Sequence, residues 1–181
     1  MAIEWADEDL PRAAAWASAL PDGEVRNDLL HCISVEAVRT DPVEALRLAT
    51  ELPESPESEE TIRRAAMEWA SSDAAEALKW AETISDEPRR QTVLAAELIA
   101  WSETEPANAA TRAVETLIAG RLLDDTLVSI VQRWAQTDAR AAAAWVEHFP
   151  EGPLRAAAVE NLLSQWRRSD PVAATSWKPG S

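Results

Sequence analysis

Apolar positions along the chain recur three and four residues apart, the spacing of one face of an α-helix. The recurrence is itself periodic. Trp5, Trp69, Trp101, Trp134 and Trp166 are separated by 64, 32, 33 and 32 residues, and Ala37 stands midway across the double gap. Units therefore open at residues 5, 37, 69, 101, 134 and 166. In this register an acid falls four residues after each start: Asp9, Asp41, Asp73, Glu105, Asp138 and Asp170. An alanine falls eight residues after: Ala13, Ala45, Ala77, Ala109, Ala142 and Ala174. Eleven after come Trp16, Leu48, Trp80, Arg112, Trp145 and Trp177. Fifteen after come Leu20, Leu52, Ile84, Thr116 and Phe149, with Leu117 taking the place of Thr116 where the fourth unit is one residue longer.

Each column predicts a local structure. The acid is a helix N-cap, accepting from the unpaired N–H groups of the first turn. Pro42, Pro106 and Pro171 follow it at the first helical position, where a missing N–H costs nothing. A first helix of about 11 residues then buries Ala, Trp or Leu, and Leu, and ends at Leu20-Pro21, Leu52-Pro53 or Phe149-Pro150. A second helix begins near Val25, Glu59, Pro88, Arg121 and Pro153. It buries Leu30 and Ile33, Ile62 and Ala65, Leu94 and Leu98, Leu127 and Ile130, and Val159 and Leu162. One such pair cannot cover its own apolar face, whereas stacked pairs share a continuous core. The expected fold is all-α: a right-handed α/α solenoid, or superhelix, of about five helix-pair repeats plus a C-terminal cap helix. It forms one domain over 1–181, with repeats at 5–36, 37–68, 69–100, 101–133 and 134–165 and a partial repeat at 166–181. Trp16, Trp80 and Trp145 are expected to be largely buried against the alanine column.

The string Asp170-Pro171-Val172-Ala173-Ala174-Thr175-Ser176-Trp177 resembles the tetratricopeptide junction Asp-Pro-x-x-Ala-x-x-Trp, and Asp41-Pro42 opens the same pattern with Leu48 in the Trp column. The chain is thus similar to tetratricopeptide and HEAT-type arrays. It departs from the former in its 32-residue period and in lacking the Gly and Tyr of that family's first helix. The resemblance implies a curved scaffold for proteins or peptides, with no catalytic residues to carry over. On that analogy the exposed columns of the first helices, seven, ten and fourteen residues after each start, form the partner-binding face. They include Arg12, Glu44, Arg47, Glu51, Glu76, Lys79, Thr83, Asn108, Thr111 and Glu115.

Charge narrows the choice of partner. The chain of 181 residues carries a net charge of −15. Counted by unit the values run −5, −4, −3, −2, −2 and +2, so the acidity is loaded at the start. No basic stripe is present to meet a phosphate backbone or an anionic membrane, and no window approaches the ~18 apolar residues of a membrane span. The partner is expected to be a basic protein or peptide. Residues Met1–Trp5 lack the pattern of a signal peptide, which points to the cytoplasm, although a leader removed before this sequence begins would leave no trace in it.

Candidate chemistry is sparse. His31-Cys32 is the only His/Cys neighbourhood, and adjacent helix residues point about 100° apart, so the two form no dyad. The acidic run Glu51, Glu54, Glu57, Glu59 and Glu60 lacks the spacing of a calcium loop and reads as a solvated turn. Arg26, Arg90 and Arg155 share one column in alternate units and read as partners of repeat acids. No catalytic, metal or cofactor site is expected. The leading function is a non-enzymatic interaction scaffold. The alternatives are a structural array that associates end to end, or a piece of a longer array, and an acidic mimic of nucleic acid.

Overall fold

The computed structural model describes residues 9–178. Trp5, which opens the first unit, and the last three residues of the partial unit lie outside them. The described chain is all-α. Its helices are α1 (Leu10–Ser18), α2 (Glu24–Ala37), α3 (Pro42–Thr50), α4 (Pro56–Ala81), α5 (Glu87–Trp101), α6 (Pro106–Thr116), α7 (Arg121–Val146), α8 (Pro153–Ser169) and α9 (Pro171–Ser176).

The acid column sets the helix boundaries. All six acids leave the helical region, with φ between −132 and −152° and ψ between 64 and 86°. Five cap a helix through the side chain, each accepting from the backbone N–H three residues on: Asp9 from Arg12 (3.2 Å), Asp41 from Glu44 (3.0 Å), Asp73 from Glu76 (3.1 Å), Asp138 from Ala141 (2.9 Å) and Asp170 from Ala173 (2.9 Å). Glu105 does not cap; its longer side chain instead accepts from Asn108 Nδ2 at 2.5 Å. Where proline follows the acid, the preceding helix stops, because proline drives the residue before it out of the α region. Where Ala74 and Ala139 follow Asp73 and Asp138, the chain runs on through a kink, so α4 and α7 each join two helices of the expected set. Asp138→Ala is expected to cost about 1 kcal/mol in urea denaturation, and Glu105→Ala only a few tenths, since only the former removes a backbone cap.

Packing divides the chain into two compact units, between Glu97 and Leu98. In the first, α1 packs on α2, α2 on α3 and α3 on α4, with α2 also reaching α4. In the second, α6 packs on α7, α7 on α8 and α8 on α9. Helix against next helix is the contact pattern of a helical solenoid. The core of the first unit includes Ala13, Ala14, Ala17, Leu30, Ile33, Leu48 and Leu52. That of the second is built around Val131, Trp134, Ala142, Val146, Ala158, Leu162 and Trp166.

Every member of the alanine column is at most 2% exposed. Small side chains let helices approach closely there, and the large ones fill the flanks. The tryptophan columns depart from expectation in one respect. Trp16 is 44% exposed, and Trp80 and Trp145 are half-buried rather than sequestered. Leu48, in the same column, is fully buried, so the site holds a leucine whole, whereas the larger indole leaves an edge in solvent. Trp80, Trp145 and Trp177 instead lie against the tryptophan that opens their own unit. Centroid distances are 5.7 Å for Trp69–Trp80, 6.2 Å for Trp134–Trp145 and 6.1 Å for Trp166–Trp177, all tilted. Trp177, half-buried at the end of α9, also donates from Nε1 to Glu147 Oε1 at 3.2 Å.

Candidate interaction surface

The first-helix columns place their polar residues at the surface. Arg12 lies on α1, Glu44 and Arg47 on α3, Glu76 and Lys79 on the second half of α4, and Asn108, Thr111 and Glu115 on α6. Glu51 and Thr83 lie just beyond α3 and α4, in the turns. Much of this charge is internally matched. Arg47 binds Glu44 through two bonds of 2.7 and 2.8 Å and Glu51 through one of 2.5 Å. Glu51 also accepts from Arg26 Nη2 on α2 at 2.7 Å, and Arg26 is mostly buried. Its pairing with a repeat acid across helices is the role its column suggested; Arg90 instead pairs within its own helix, with Glu87. Lys79 stands 3.6 Å from Glu76, and Arg12 3.7 Å from Asp9. Thr83 and Thr111 donate to the backbone carbonyls of Trp80 and Ala107. The structure therefore joins Glu44, Arg47 and Glu51 into one network and Glu76 with Lys79 into a second.

The less neutralised acids lie beside this face, along the turns of the first unit. Two adjoining hollows of about 440 and 470 Å³ share Glu54 and Arg89 as walls. Thr50, Trp80, Ile84 and Asp86 line one, and Pro56, Glu59, Pro88 and Thr92 the other. Asp86 caps α5 by accepting from the Arg89 backbone at 2.9 Å. The Arg89 guanidinium donates to the carbonyls of Thr50 and Leu52, so it holds the C-terminal end of α3 while its charge stays beside the acids of both hollows. The acidic run of the sequence thus contributes two carboxylates, Glu54 and Glu59, to a groove floored by Trp80 and Ile84.

One residue escaped the pattern reading. Four residues before each unit start the second helices place Ile33, Ala65, Glu97, Ile130 and Leu162, all 0% exposed. Four are aliphatic or small; the fifth is a carboxylic acid. Leu94 and Leu98, the apolar pair expected in this helix, are buried as well, so the helix supplies a buried leucine one position beyond the column and the acid stands beside it. Among the described residues, both Glu97 carboxyl oxygens are buried without a hydrogen-bond partner, as is Ser18 Oγ. Burial pushes the Glu97 carboxyl up to about 8. The physical cause is desolvation of the charged form.

Among the described residues no group of three or more His, Cys, Asp or Glu could hold a metal ion, and no helix is long and apolar enough to cross a membrane. Cys32 is an exposed free thiol beside a half-buried His31, and His148 is exposed, with Nδ1 2.8 Å from the Ala144 carbonyl. No family model, curated protein or solved structure matches this chain. The class that fold and surface define is an all-helical, repeat-like array of paired helices.

Proposed function

We propose that this protein is a non-enzymatic scaffold that docks a basic protein or peptide, acting as a tetratricopeptide-like array in the cytoplasm. The observation that carries the reading is the uneven acidity: the first three repeats sum to −12 and the rest to −2. Such a field raises encounter rates with cationic partners and decays over about 8 Å at physiological salt. The ion pairs of α3 refine where it acts. Glu44 and Glu51 already share Arg47 and Arg26, whereas Glu54 and Glu59 line the groove with no arginine of their own among the described residues, and Trp80 and Ile84 offer apolar contact beside them. The exposed Cys32 thiol suits a reducing compartment.

The test is binding of a labelled oligo-arginine peptide, with an oligo-glutamate peptide as control, from about 50 to about 500 mM salt. Affinity for the cationic peptide is expected to fall at least about tenfold across that range. Glu54→Gln with Glu59→Gln should slow association more than Glu44→Gln with Glu51→Gln. Binding that ignores salt, or that is equal for both peptides, would rule out acidic docking.

A further inference from the structure

The residue in this fold with the least local justification is Glu97. It occupies a column whose other members, Ile33, Ala65, Ile130 and Leu162, are fully buried and uncharged. Its neighbours one turn away on α5 are Val93, Leu94, Ala100 and Trp101, all apolar. The charged groups of its own helix, Glu87, Arg89 and Arg90, lie in the first turn, at least seven residues and so roughly 10 Å away along the axis. Arg89 is committed to the Thr50 and Leu52 carbonyls, and Arg90 to Glu87 and the Ile84 carbonyl. On the other helices of the same unit, Arg26, Glu44 and Arg47 are tied into the α2–α3 network. Arg63, Arg64 and Glu68 on α4 are exposed. No charge from any element contributes to the titration of Glu97, which burial alone governs.

We propose that Glu97 is a pH-sensitive catch: the turn of α5 that carries it stays packed while its carboxyl is protonated and opens to solvent as that proton is lost. A fully buried carboxylate whose oxygens have no hydrogen-bond partner among the described residues is strongly disfavoured, so ionisation and opening are coupled. The sign follows from the direction of the shift. The packed state holds the proton up to about pH 8, whereas an opened Glu97 releases it in the ordinary carboxylate range, near 4.5. The stabilisation of the packed state is thus complete below the lower value and is lost as pH rises through the upper one. The four other repeats have no ionisable group at this position, so the response belongs to α5. Local opening of this kind lies below global unfolding in free energy. Pro88, Arg89 and Thr92 of the same helix form one side of the acidic groove, so opening would also loosen that wall; this consequence alone rests on the scaffold reading.

The experiment is amide hydrogen exchange on the whole chain, normalised to intrinsic exchange rates, with the wild type compared with Glu97→Gln and Glu97→Leu. From about pH 6 to about pH 8, protection of the α5 amides in the wild type should fall on the order of fifty-fold. The α8 amides should change little. Both variants should lose the slope, and Glu97→Leu should be the more protected at every pH; it keeps the test valid if the glutamine variant folds poorly. The infrared band of a protonated carboxyl should be present in the wild type at neutral pH and absent from both variants. A flat wild-type profile, the same slope in α8 or in a variant, or no such band would overturn the proposal.

Discussion

Trp134→Ala is expected to destabilise the protein by about 3–5 kcal/mol, the cost of emptying a large aromatic site in a packed core. Trp134 is only 8% exposed and belongs to the second unit's core with Val131, Ala135, Leu162 and Trp166. Its indole lies against Trp145, which in turn meets Phe149 edge-on at 4.7 Å. Truncation therefore leaves a void and also strips one face from a half-buried neighbour. The loss should appear as a lower urea midpoint and a drop in melting temperature on the order of 10 °C. Trp16→Ala is the contrasting case. With nearly half of that residue in water, about 1–2 kcal/mol is expected. Equal losses for the two would contradict the difference in burial between Trp134 and Trp16.

Leu162→Glu is expected to have the larger effect. It places in the fifth repeat the residue that the third carries naturally at Glu97. Leu162 is fully buried in the second unit's core. A carboxylate there must either be neutralised or be hydrated by opening the core. A shift of three to five pKa units, typical of full burial, corresponds to about 4–7 kcal/mol once the pH exceeds the folded value. That is a large part of the roughly 5–15 kcal/mol that holds an ordinary domain together. At neutral pH most of this loss should already be present, and acidification toward about pH 4 should recover much of it, because protonation removes the charge. Leu162→Gln supplies the control: it loses the leucine packing and buries an amide, but it should show no such pH dependence. Glutamate and glutamine variants with equal and pH-independent stability would show that the column is not dry.

Glu97 and Leu162 also mark where pattern reading succeeds and where it stops. The repeat was legible because a solenoid uses the same contact many times. Each alanine sits where two helices meet, so six independent positions report one constraint, and the acids report the recurring need to cap a helix. Ala13 through Ala174 are buried and five of the six acids cap, as that logic requires. The surface columns were readable too, with only Glu44 and Arg47 of the named residues half-buried, since three-residue and four-residue spacing fixes which side of a helix faces away from its neighbour. What those exposed residues bind was not, because a surface side chain satisfies its local chemistry with water and leaves no periodic trace.

The sequence by itself determined the class of fold, the buried alanine positions and the acids that break and cap its helices, all of which follow from local backbone chemistry and a short-range periodicity. Tertiary structure decided the rest. It showed that α4 and α7 run on through Asp73 and Asp138, because no proline there enforces a stop. It left Trp16 partly in water where Leu48 is fully enclosed, since side-chain volume decides how much of one site can be sealed. It tied Arg26, Arg47, Glu44 and Glu51 into a network, leaving Glu54 and Glu59 as the acids of the groove. It also placed Glu97 in an apolar column with no partner. In a linear string a glutamate next to a leucine in a helix reads as the polar side of an amphipathic pair; only the packing of α5 determines that both Glu97 and Leu98 are shut away from water.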